Sequence, residues 1–187
     1  MQIRMNTYSG PADKRPMVDA AIELLEQVVN SSDFRQRVEA KRRYRHHEGL
    51  SSAEIYNRLI TGDRSGRGAL DRPRTVTFNY AFIEGGSDTT LGYRQTGTNN
   101  IFTYRRHLAW MDVHDLVAHL SHEIVGHLAG NFGHPRLNVR GRGRSVPYVI
   151  DSIVDMLLEQ MPSASARSEG LGEMPDHSDS DEELGCQ

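Results

Sequence analysis

Apolar residues recur at helical spacing over residues 16–30, where Val18, Ala21, Ile22, Leu25, Val28 and Val29 share one face and Pro16 suits a first turn. Residues 32–44 read as a second helix with Phe34 and Val38 turned inward. A third helix is expected over 52–60. Ser51 stands three residues before Glu54, the spacing of a capping box, and Gly62 closes it. The period then changes to two. Residues 75–82 (TVTFNYAF) alternate as a strand, Gly85 and Gly86 turn the chain, and a strand pair is expected at 89–94 and 100–105 around Gly97. Residues 112–129 form the strongest helical pattern, with Asp112 as N-cap and Gly130 as stop. A last helix is expected over 147–161, with Val149, Ile150, Ile153, Val154, Met156, Leu157 and Leu158 as its core side.

The stretches between these elements are polar or rich in glycine and proline. Residues 1–15 read as a flexible arm punctuated by Ser9, Gly10 and Pro11, and residues 62–74 and 136–145 as loops. From Pro162 the Ser, Gly, Asp and Glu content is too poor in apolar side chains to repay ordering, so 162–187 is expected to be a disordered acidic tail. The expected fold class is α+β: N-terminal helices, a small antiparallel or mixed sheet, the helix over 112–129 and a C-terminal helix, in one domain over 16–161.

Charge sharpens this division. The net charge of −3 hides a split, because residues 163–187 carry seven acids and one base, leaving 21 bases against 18 acids in residues 1–162. No stretch approaches the roughly 18 apolar residues of a membrane helix. The opening MQIRMNTYSGP has no apolar h-region, so the default expectation is a cytoplasmic protein, with non-classical secretion left open. Cys186 is the only cysteine, which excludes an intramolecular disulfide and a multi-cysteine zinc site. Arginine outnumbers lysine 20 to two and clusters at 41–47 and 140–144. The acidic net charge and the lack of a base-reading motif weigh against nucleic acid; the first cluster reads as a solvated helix end, and the second as a flexible basic loop through which a binding module could act.

Candidate chemistry is concentrated in one place. Five of the nine histidines fall between residues 114 and 134, and the string from His122 to His134 is HEIVGHLAGNFGH. Two histidines four apart lie about 40° apart around an α-helix and can share one metal, whereas His122 and His127 are five apart, about 140°. A π-bulge restores a common face, and Gly126 eases the rewinding. Gly130 would then turn the chain so that His134 comes round to the others. Two other ligand sets are open: His119, Glu123 and His127 form an i, i+4, i+8 stripe, and Asp151 or Asp155 could replace His134. His46, His47, His107 and His114 read as structural or solvent-facing.

The hexapeptide from His122 to His127 resembles the HE-x-x-G-H motif of the dipeptidyl peptidase III family. The longer string to His134 resembles metzincin-like zinc metallopeptidases of HExxH type, with one residue more in each half. No methionine turn is legible, since Met156 reads as core and Met161 as a helix end. The resemblance implies a zincin-like fold, Zn²⁺ held by His122, His127 and His134, and Glu123 as the base that takes a proton from a metal-activated water. The implied reaction is peptide-bond hydrolysis, by an endopeptidase acting on a peptide or protein substrate. Tyr148 is the candidate oxyanion donor or weak further ligand. The competing expectation is a catalytically inactive zincin-like binding module.

Overall fold

The computed structural model describes residues 1–62, 75–87, 90–134 and 142–161. The order is β1 (Gln2–Ser9), α1 (Arg15–Val29), α2 (Ser32–Ala40), α3 (Ser52–Thr61), β2 (Thr75–Ile83), β3 (Gly92–Arg94), β4 (Asn100–Tyr104), α4 (Val113–Leu120), a π-helical segment (Ser121–Ala129) and α5 (Val146–Glu159). The class is α+β. The loop at 63–74, most of that at 136–145 and the tail at 162–187 lie outside the described residues.

The sheet is mixed, in the order β1-β2-β4-β3. β1 pairs with β2 and β2 with β4 in parallel; only β3, on β4, is antiparallel. The expected arm is therefore corrected: Gln2–Ser9 is an edge strand, and its Ile3 N–H donates to Glu26 of α1 at 2.8 Å. A bulge between Met5 and Thr7 breaks the alternation that would have revealed it. β3 is also shorter than the expected strand.

The helical faces fall as their spacing dictates. All six apolar residues of α1 are buried, as are Phe34 and Val38 of α2. The Ser51–Glu54 capping box is formed, and Asp112 makes a second box with Asp115 at the start of α4. One core residue is corrected. Met156 is 40 % exposed, and its sulfur receives the Arg37 guanidinium at 2.8 Å instead of packing inward. Among the described residues no strand pairs with the outer edge of β3, which lies beside the π-helical segment.

Candidate metal centre

The spacing problem at His122 and His127 is solved by the backbone. From Ser121 the helix widens from α to π, with Gly130 N–H donating to the carbonyl of Val125 five residues back at 3.0 Å. Imidazoles five apart then face the same way, their ring centroids 4.9 Å apart. Gly126 is needed for space: a Cβ there would lie 2.8 Å from Cα of Pro147, because the start of α5 packs directly on the π segment.

The turn toward His134 differs from the expected one. Gly130 keeps a right-handed conformation (φ −76°), and the left-handed residue is Asn131 (φ 53°), a residue type that tolerates it. Glycine at 130 is again a matter of space, since a Cβ would meet Phe132 and Leu59 at 2.7 and 2.9 Å. Arg58 of α3 supports this turn by donating to the Gly130 carbonyl at 2.7 Å and stacking over Phe132 at 4.4 Å. Phe132 in turn offers its carbonyl to Nδ1 of His127 at 2.6 Å. Nδ1 therefore carries the proton and Nε2 keeps its lone pair.

Ligand atoms of His122, His127 and His134 all lie within 4.8 Å of one another. Nitrogens sharing a tetrahedral zinc at about 2.0–2.1 Å stand about 3.4 Å apart, so small side-chain rotations close the set. Burial lowers the His127 pKa to about 4, partly opposed by the Phe132 carbonyl, so this imidazole is neutral at neutral pH, as a ligand must be. The donors fit zinc.

Glu123 sits beside them, 6 % exposed, with Oε2 accepting the Arg94 backbone N–H of β3 at 2.9 Å. Burial raises its pKa to about 7, with the Arg94 hydrogen bond pulling the other way. Tyr148 sets its ring edge-on to that of His122, with centroids 4.5 Å apart, and tilted against that of His134 at 5.1 Å. All of these line one cleft of about 520 Å³, walled on the far side by Thr90, Leu91 and Gly92.

The alternative ligands fall elsewhere. Asp151 lies 4.0 Å from Nδ1 of His122, beyond hydrogen-bond reach, and is not one of the three clustered groups; burial, then the Asp155 charge, raises its pKa to about 7. Asp155 itself is exposed and does not line the cleft. His119 is buried against Gly92, its Nε2 without a hydrogen-bond partner among the described residues, and burial lowers its pKa to about 4. It stands apart from the three-histidine set, and so does the exposed His114. His107 is buried, with its Nε2 2.9 Å from the Thr90 carbonyl.

No family model matches the chain, and comparison with curated proteins and solved structures finds no match. The site must be understood from its own geometry. Three contributors escaped sequence reasoning: Arg58, Phe132 and Arg94. Arg94 is the most informative, because its guanidinium also reaches the His127 carbonyl at 3.4 Å and so ties the edge strand to the end of the π segment. No local signal marks any of them.

Proposed function

We propose that this chain is a zinc-dependent metallopeptidase in which His122, His127 and His134 hold the metal and Glu123 is the general base. The observation that carries this reading is the convergence of three histidine ligand atoms around a cleft that also holds a buried glutamate. A zinc ion held there supplies a Lewis acid that makes water acidic enough to ionise near pH 7 and polarises a carbonyl.

The chain's own residues do the rest. Glu123, buried beside the three histidines in the same cleft, would accept a proton from water and return it to the leaving amine. The Arg94 N–H fixes one oxygen of that carboxylate and leaves the other to work. Tyr148, whose ring lies beside those of His122 and His134, is the residue that would donate to the developing oxyanion.

Substrate recognition follows from the open side of β3. Leu91 and Gln95 use their backbone groups toward β4, accepting from Tyr104 N–H and donating to the Asn100 carbonyl, each at 2.9 Å. Alternation then turns the backbone of Gly92 and Arg94 outward. Gly92 N–H, Gly92 C=O and Arg94 C=O are aimed at the cleft side, where an extended peptide can add as a further strand.

The test is hydrolysis of an unstructured protein substrate by zinc-loaded wild type, Glu123→Ala and His127→Ala. The expected result is activity in the wild type, zinc without activity in Glu123→Ala, and neither in His127→Ala. A folded wild type that holds no zinc yet captures extended peptides would instead make the chain a binding module.

A further inference from the structure

The two arginine-rich stretches that are far apart in sequence are joined in the fold. Arg45 forms an isolated parallel bridge with Ser145, and its N–H donates to the Arg144 carbonyl at 2.7 Å. The first stretch is pinned from inside by Tyr44, which is buried and whose hydroxyl donates to the Val38 carbonyl at 3.0 Å. Around that peg Lys41, Arg42, Arg43 and Arg45 are exposed, and so is Arg144. None of the five has an ion pair among the described residues. Five cations held on adjoining, anchored backbone repel one another, and an anion relieves that repulsion.

The chain carries an anion of matching size. Residues 163–187, with seven acids and one base, have a net charge of −6. They follow α5, whose end lies against α2: Arg37 donates to Gln160 at 2.9 Å. α2 ends at Ala40 and leads directly into Lys41, so the acidic stretch departs from the neighbourhood of the cations. A tethered segment meets such a surface at an effective concentration on the order of millimolar. Exposed ion pairs that are individually weak then act together. We propose that residues 163–187 dock in cis on the basic patch formed by Lys41, Arg42, Arg43, Arg45 and Arg144. This contact depends neither on a bound metal nor on the peptidase reading.

Cys186 allows a direct test, because it is the only cysteine. A nitroxide attached there in the full chain should broaden the amide resonances of Arg42, Arg43, Arg45 and Arg144 above those of the remaining exposed surface at low salt. The excess should vanish at about 1 M salt, where the screening length is about 3 Å. It should vanish equally in the D179N/D181N/E182Q/E183Q variant and in the R42S/R43S/R45S variant, whose replaced side chains stay in solvent in a folded protein. Broadening spread evenly over the surface, or a patch signal indifferent to both variants, overturns the proposal. So does a patch that shows no excess broadening but shifts on adding a short DNA duplex, which would assign it to nucleic acid.

Discussion

Replacing Glu123 by glutamine should stabilise the metal-free protein, and by an amount that depends on pH. The carboxyl titrates at about 7 in the folded chain against an ordinary 4.5, chiefly because it is buried. A folded pKa above the unfolded one means that the native state binds the extra proton between about pH 4.5 and 7. Stability from this group is therefore complete below 4.5 and is lost as pH rises through 7. At 1.36 kcal/mol per unit, the buried charge costs about 3 kcal/mol at pH 8 and less than about 1 kcal/mol at pH 5. Glutamine keeps the shape and an acceptor for the Arg94 N–H but cannot ionise. Urea unfolding of both proteins with a chelator present should then show Glu123→Gln more stable by about 3 kcal/mol at pH 8, or roughly 6–12 °C in Tm for a chain of this size. The gain should nearly disappear at pH 5. Equal stability at pH 8, or an equal gain at both pH values, would refute the claim that this carboxylate is held at the site at the expense of the fold.

Other perturbations read the supports of the site. Asp112→Ala removes the side-chain half of the α4 capping box and should cost about 1 kcal/mol in urea unfolding, with zinc content unchanged. Gly126→Ala forces a Cβ against the Pro147 backbone and should cost about 1–3 kcal/mol while weakening zinc binding, since α5 carries Tyr148 and Asp151; a silent substitution would mean that α5 does not press on the π segment. Asp151→Asn should lower zinc affinity about 10–100-fold in competition with a chromophoric chelator, and unchanged affinity would remove Asp151 from any role in orienting His122.

What the sequence revealed and what it hid follow from the range of the interactions. The faces of α1 and α2 and the Ser51 box depend on residues within a turn or two, so their spacing suffices. The five-residue step from His122 to His127 is likewise local, and it announced a π distortion because no regular α-helix could bring the two rings together. β1 was hidden because its partner lies 73 residues away, as in the Thr75–Gln2 side-chain hydrogen bond, and because its bulge shifts the alternation. The turn after Ala129 was legible as a turn but not in its mechanics. The glycine stands where Phe132 and Leu59 crowd the chain, and the left-handed conformation passes to Asn131. Arg58 and Arg94 act on the site from α3 and β3, so nothing near the motif names them.

The most direct measurement is zinc content after dialysis against a weak chelator, for wild type, His127→Ala, His134→Ala and His114→Ala. The account predicts about one zinc per chain in wild type and in His114→Ala, and almost none in the other two. A folded wild type without zinc, or equal zinc in His134→Ala and His114→Ala, would contradict it.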